Sequence, residues 1–211
     1  MTASRSSPAW TNRPDLTLIA EMVEPGTRVL DVGCSDGLLL ELLAEEKNVD
    51  GRGMEISQEG VSACVSRGLS VIQGNAETDL YDYPDGAFDY AILGLTLPAL
   101  HRPREILLEL LRVGRRAIVS ISNSGYWRHR LHFLIQGRIP DMGARTTAWY
   151  NTPNLHPCTI RDFVILCRTL GIVIERRVQL DSRGRANRFH GTGAFANLFG
   201  EQAVFLLSKK S

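Results

Sequence analysis

Two carboxylates and a short run of glycines are the residues of this chain whose types and spacing best suit chemistry. Asp31 lies in RVLDVGCSDG (28–37) and Glu55 in VDGRGMEI (49–56), each at the end of a strand-like run. Carboxylates accept hydrogen bonds from an ammonium or from ribose hydroxyls and are poor neighbours for phosphate. Gly33 and Gly37 let the backbone turn tightly where a ligand can approach it. The phosphate-binding patterns are missing. A dinucleotide fingerprint, GxGxxG, needs glycine where Gly33-Cys34-Ser35-Asp36-Gly37-Leu38 has Ser35 and Leu38, and GxxxxGK[ST] occurs nowhere. The site therefore calls for a ligand with an amino acid and a ribose but no phosphate, and S-adenosylmethionine (or S-adenosylhomocysteine) meets that description.

Other candidates are fewer. His101 follows the fourth predicted strand and could serve as a base; a surface histidine beside Arg102 and Pro103 is the competing reading. His129 and His132 have helical ligand spacing but no acidic partner, so no metal site is expected. No GxSxG elbow occurs, which excludes an acyltransferase of the α/β-hydrolase kind. No DPPY or NPPY motif follows the fourth strand, which argues against methylation of base amino groups. Cys34, Cys64, Cys158 and Cys167 form no CxxC pair and read as buried thiols of a reduced, cytoplasmic chain.

The elements that must position these groups follow from periodicity. Strands are expected at 28–32, 49–56, 69–73, 88–93 and 117–121, alternating with helices at about 14–23, 37–46, 58–66 and 103–113. Such alternation predicts an α/β, doubly wound, mostly parallel seven-stranded sheet, whose ligands sit at the carboxyl ends of the strands. From Ser122 to Pro157 the pattern breaks into an aromatic-basic helix, SNSGYWRHRLHFLIQ, and an irregular stretch, RTTAWYNTPNLHP, read together as an inserted lid or partner segment. Order resumes at Thr159, which with Asp162 forms a capping-box variant for a helix ending at Gly171. Strands at 172–180 and 202–208, joined without a helix, suggest an antiparallel hairpin at the sheet edge. Residues 1–12 read as a disordered tail and 13–211 as one domain.

Composition is that of an ordinary globular protein. The 211 residues are 44% apolar and carry a formal net charge of +1, so no electrostatic case exists for nucleic acid or an anionic membrane. No apolar run is long enough to span a bilayer, and the first residues have no signal-peptide core.

VLDVGCSDG with Glu55 resembles the first motifs of class I S-adenosylmethionine-dependent methyltransferases. More closely, the chain resembles the methionine biosynthesis protein MetW family, through RPDL near residue 13, VLDVGCSDG, DGRGMEISQEGVSACVSRGLSVIQGNAETDL, FDYAILGLTL, RPREILLELLRVGRRAIVS, WYNTPNLH and CTIRDFVILCRTLGI. The resemblance implies that Gly33, Ser35 and Gly37 line the methionine moiety with Asp31 at the base of the turn. It further implies that Glu55 accepts the ribose hydroxyls, Ile56 packs on the adenine, Asn75 and Ala76 meet its edge, and Leu93 and Gly94 floor the pocket. Three departures stand out. Position 35 is Ser where Gly is usual, position 75 is Asn where Asp is usual, and Leu95 to His101 is more apolar than the family pattern.

The resemblance also implies a partner, a MetX-like homoserine O-acyltransferase, which acylates homoserine on the way to methionine. It leaves two functions open. One is an accessory or regulatory subunit of that enzyme that binds S-adenosylmethionine; the other is an active methyltransferase on a small molecule, with His101 or the 149–156 loop near the acceptor.

Overall fold

Helices settle on both faces of a single sheet because its central strands are apolar on both sides. The computed structural model describes Trp10 and residues 13–140, 156–187 and 194–210. In chain order the elements are α1 (Pro14–Ala20), β1 (Arg28–Val32), α2 (Leu38–Lys47), β2 (Asp50–Glu55), α3 (Gln58–Ser66), β3 (Val71–Gln73), α4 (Ala76–Asp79), β4 (Phe88–Gly94), α5 (Pro103–Val113), β5 (Gly114–Ser122), α6 (Trp127–Gln136), α7 (Ile160–Thr169), β6 (Ile172–Leu180), β7 (Ala186–Asn187), α8 (Ala194–Phe199) and β8 (Gln202–Lys209).

The sheet runs β3-β2-β1-β4-β5-β8-β6-β7. Strands β3, β2, β1, β4 and β5 are parallel. β8 runs antiparallel to both β5 and β6. Chain order reverses at β1, with β2 on one side and β4 on the other, which opens a crevice at their carboxyl ends. Leu30, Leu93, Val119 and Phe205 pack with α5 and α7 on one face. Val29, Ile92, Ile118 and Val204 pack with α1 and α2 on the other.

Local signals account for the helices that frame the crevice. Pro103 supplies the first turn of α5, and Ile106, Leu107, Leu110 and Leu111 form its buried stripe. The expected capping box of α7 is formed: Thr159 Oγ1 accepts the Asp162 N–H at 3.1 Å, and Asp162 accepts the Thr159 N–H at 3.0 Å.

The doubly wound fold is as read from the sequence, and its antiparallel part differs in detail. β6 and β8 do pair antiparallel, but β8 lies inside the sheet, an eighth strand of two residues, β7, closes the edge, and α8 occupies the connection expected to be a plain loop. Burial explains the order. Ala203, Val204, Phe205 and Leu207 are apolar on both faces and fully covered, whereas β6 carries Glu175, Arg176 and Arg177, side chains suited to a position near an edge. The four-residue α4 has no counterpart in the expected elements.

The expected tail, residues 1–12, lies outside the described residues except for Trp10, which is buried against the α1–α2 core. Of the expected insertion at 122–157, α6 forms a helix, and 141–155 lie outside the described residues. Among the described residues no helix is long and apolar enough to cross a membrane.

Candidate functional site

The turn after β1 is built from backbone conformations that side chains disfavour. Gly33 and Gly37 have φ of +74° and +78°, and Ser35 has φ of +52°. The N–H groups of Gly33 and Cys34 both donate to Met54 O of β2, at 2.7 and 3.2 Å, so the turn hangs on the neighbouring strand. Ser35 in the left-handed region costs of order 1 kcal/mol, and its own N–H offsets part of that cost by donating to Glu55 Oε2 at 2.9 Å. Glu55 Oε1 accepts the Ser57 N–H at 2.9 Å, where Ser57 caps α3. One buried carboxylate therefore ties together two strand-end turns. Each of its oxygens keeps a second lone pair, the capacity that two hydroxyl groups would need.

Gly60 makes this packing possible. A Cβ there would lie 2.7 Å from Glu55 Cγ and 2.8 Å from Ser35 O. Nothing in the sequence pattern singles Gly60 out as part of the site. The one available signal is a glycine in the first turn of a helix, where propensity alone disfavours it.

Asp31 is 3% exposed at the floor of the turn. Burial and then the Glu55 charge, with no hydrogen bond from the described residues to oppose them, push its carboxyl up to about 7. A group of positive charge placed near it would reverse that shift. The cysteines are free thiols, three of them buried. Cys34 and Cys64 lie 3.8 Å apart, sulfur to sulfur, and burial raises both, so they pack rather than react.

The remaining expected site residues divide. Ile56, directly after Glu55, is 64% exposed, an apolar side chain left at the mouth. Asn75 caps α4, its Oδ1 accepting the Glu77 N–H at 2.9 Å, so the amide oxygen already has a partner. Ala76 begins α4 and packs on the core. Leu93 is fully buried in the α5-side core. Gly94, one residue on, is where the strand borders open space: a Cβ there would meet nothing within 4 Å.

His101 is tied rather than free. Its Nδ1 lies 3.0 Å from Glu77 Oε2, and the Arg102 N–H donates to Glu77 Oε1 at 2.8 Å. Burial of Glu77 acts to raise its pKa, but the bonds from His101 and Arg102 outweigh it and hold the carboxyl below its ordinary range. The pair joins α4 to the connection after β4. The His156 N–H donates to Pro98 O at 2.9 Å, bringing the end of the expected lid segment back to that same connection. Residues 149–155 of the segment lie outside the described residues.

Farther along the same edge of the sheet, Asn123 organises a second cluster that sequence reasoning missed. Its fully buried amide donates to Asn197 O and Gly200 O at 2.8 and 2.7 Å and accepts from the N–H groups of Gly125 and Ile160 at 3.0 and 3.2 Å. It thereby joins the end of β5 to α7 and α8. Beside it a pocket of about 660 Å³ is lined by Tyr126, Trp127, Gln179, Leu180, Asp181, Phe195, Phe199 and Gly200. His129 turns inward, its Nδ1 3.3 Å from Asn123 O, and no cluster of three metal-ligating side chains occurs among the described residues.

Comparison with known proteins places these features. The family profile described as methionine biosynthesis protein MetW matches residues 13–207. A "Bifunctional methionine biosynthesis protein MetXA/MetW" of Rhodopirellula baltica is 37% identical over 172 residues, 77% of this chain; the chain spans only 28% of that relative. Among solved structures, a Thermotoga maritima S-adenosylmethionine-dependent methyltransferase, described as a possible histamine N-methyltransferase, superposes with a TM-score of 0.64 at 19% identity, covering 96% of this chain and 90% of its own. The [4+2]-cyclase SpnF gives the same TM-score at 21% identity, covering 92% and 80%. These two likenesses establish the fold, and their two names show that the fold does not by itself dictate one reaction.

Proposed function

The chain belongs to the methionine biosynthesis protein MetW family, and we propose that it is an S-adenosylmethionine-binding accessory subunit of a MetX-like homoserine O-acyltransferase. The observation that carries the ligand is the pair Asp31 and Glu55 on adjacent strand ends. Asp31 is a buried carboxylate without a hydrogen-bond partner among the described residues, suited to the ligand's ammonium. Glu55 retains acceptor capacity for the ribose. Exposed Ile56 would cover the adenine, and the space beside Gly94 would admit the methionine end. Asn75 would meet the adenine edge through its remaining polar capacity, since its Oδ1 serves as a helix cap. Ser35 is accommodated through its backbone, with its side chain an addition that the family's glycine lacks.

Bound, the ligand supplies a methyl group or a signal of its own concentration. The accessory reading takes the second. It is supported by the MetXA/MetW relative, in which a segment like this chain forms about a quarter of a longer protein. A ligand that binds one state of the subunit more tightly would shift acyltransferase activity by that difference.

The open space beside Gly94 supports a second reading, methyl transfer to a small acceptor entering there. Against it, the candidate base His101 is largely open to solvent, held by Glu77 through Nδ1 alone. The deciding experiment measures homoserine acylation by the purified acyltransferase with and without this chain, across an S-adenosylmethionine titration. Stimulation that changes with ligand supports the accessory role, and absence of any effect on the acyltransferase removes it. Binding of S-adenosylmethionine itself is read separately by calorimetry.

A further inference from the structure

We infer that the apolar, cationic surface formed by α6 and α8 is where the acyltransferase docks, through a face of that enzyme rimmed with carboxylates, and that the aromatic pocket beneath takes an anchoring side chain which accepts a hydrogen bond from Gln179. The identity of the partner rests on the accessory reading above; the surface and its chemistry rest on exposed apolar side chains, cations without a salt bridge among the described residues and one orphan donor.

α6 is a ten-residue helix with no buried residue. An isolated helix of that length is marginal in water, and most helices persist by burying one face. α6 instead leaves Leu134 80% and Ile135 72% exposed, with Leu131 and Phe133 also open to solvent. α8 adds Phe195, 75% exposed, and Phe199, their rings nearly parallel at 6.2 Å. An apolar patch of this extent on one side of a domain is the mark of a surface that another protein covers.

Charge selects the kind of partner. From Trp127 to Pro140 the chain carries Arg128, Arg130, Arg138 and two histidines, with Asp141 the first acid to follow; Arg130 Nε donates to Gly125 O. Among the described residues none of these three arginines is in a salt bridge. A two-fold interface that set α6 against α6 would oppose like charges, which favours a partner of another kind. A face with an apolar centre and acidic rim is complementary.

The pocket supplies the anchor point. Gln179 Nε2 is the one fully buried side-chain donor among the described residues without a hydrogen-bond partner. Gln179 lines the pocket with Tyr126, Trp127, Phe195 and Phe199, and with Asp181, whose Oδ1 already accepts the N–H groups of Arg183 and Arg185. Buried donors are ordinarily satisfied, and an aromatic socket with one orphan donor suits an inserted group that is apolar in its stem and carries an oxygen at its tip. The site is distinct from the ligand crevice. β6 is four strands from β1, about 19 Å at ~4.8 Å per step, too far for a group bound there to reach a reacting atom over β1.

The test uses the full chain and the purified homoserine O-acyltransferase, with affinity measured by calorimetry or interferometry. Leu134→Asp with Ile135→Asp is expected to weaken binding at least 100-fold with an unchanged circular dichroism spectrum. Gln179→Leu, which replaces the orphan donor by an apolar group, is expected to weaken binding about tenfold while leaving the melting temperature the same or higher, an outcome that a merely structural glutamine would not produce. If the wild-type chain binds and the double variant binds equally well, the surface is wrong while the accessory reading stands. If the wild-type chain does not bind the acyltransferase at all, both fall. A Gln179→Leu variant that binds like wild type removes the anchor, and a wild-type homodimer that the double variant dissolves overturns the choice of occupant.

Discussion

The carboxyl edge of the sheet carries two clusters of opposite construction. Over β1 and β2, backbone turns are drawn inward onto two buried acids, and the residues that matter, Asp31, Glu55 and Gly60, are small or short. Over β5 and β6, one buried amide, Asn123, gathers three elements, and the large side chains it supports turn outward. The first arrangement leaves buried acids with unused acceptor capacity, suited to a small polar ligand. The second leaves aromatic rings in solvent, suited to another macromolecule. A parallel sheet provides one edge, and the turn chemistry on each half decides what that half can hold.

The contrast is broken most severely at its two buried polar hubs. Asn123→Ala would leave two backbone donors and two backbone carbonyls without their shared partner, and should cost about 4 kcal/mol of stability in urea unfolding. At temperatures where the variant stays folded, loosening of α8 should weaken acyltransferase binding and leave S-adenosylmethionine affinity within about twofold, given independent sites. Glu55→Ala should do the reverse. Losing its hydroxyl acceptors together with the bond that holds Ser35 should weaken S-adenosylmethionine about 100-fold by calorimetry, with partner binding in the absence of ligand unchanged. Equal damage to both affinities by either variant would show that the two halves are one site.

The polar half of the edge is the half legible in the sequence. Its groups are close in the chain or at corresponding ends of successive strands, so strand periodicity and turn residues alone point to Asp31, Gly33, Gly37 and Glu55. Leu93 and Asn75 have surroundings that the pattern does not convey: Leu93 faces the core, and Asn75 spends its oxygen capping a helix too short to leave a periodic signature. Asn123 is invisible in the sequence because the carbonyls it bonds lie 74 and 77 residues away. The interior position of β8 is readable from AVFLL, apolar on both faces, yet chain order suggests an edge. α6 reads as amphipathic, but its inward side is only half-buried, through His129 and His132, while its leucines and isoleucine face solvent.

The ligand half also carries its own pH signature. Asp31 titrates ordinarily near 3.8 and in the folded, ligand-free protein at about 7. The native state thus binds the extra proton between those values, so this group's favourable contribution to stability is complete below about pH 3.8 and is lost as pH rises through 7. An ammonium beside the carboxylate requires the ionised form. S-adenosylmethionine affinity should therefore rise by up to about tenfold per pH unit below pH 7 and level off above it, with proton release on binding near pH 6. Asp31→Asn should abolish the slope, bind more weakly at pH 8, and lose less stability than wild type between pH 5 and 8. An unchanged slope in that variant would place the titrating group elsewhere.

The mildest change bears on why Ser35 occupies a position with φ of +52°. Replacing it by Gly relieves left-handed strain of order 1 kcal/mol but frees the unfolded chain by about 0.5–1 kcal/mol, so the two terms nearly cancel. Thermal stability of Ser35→Gly should then stay within a few degrees of wild type. The Ser35 N–H bond to Glu55 belongs to the backbone and survives the change. What is removed is a hydroxymethyl group at the place where the methionine moiety would approach the turn. S-adenosylmethionine affinity should increase about two- to fivefold if that group merely obstructs, because a steric contact of one or two atoms is worth under about 1 kcal/mol. A fall in affinity of similar size would mean that the Ser35 hydroxyl is itself a ligand contact. Such a result would sharpen the comparison, since the polar half of the edge would then recognise its ligand with a side chain as well as with its turns and acids.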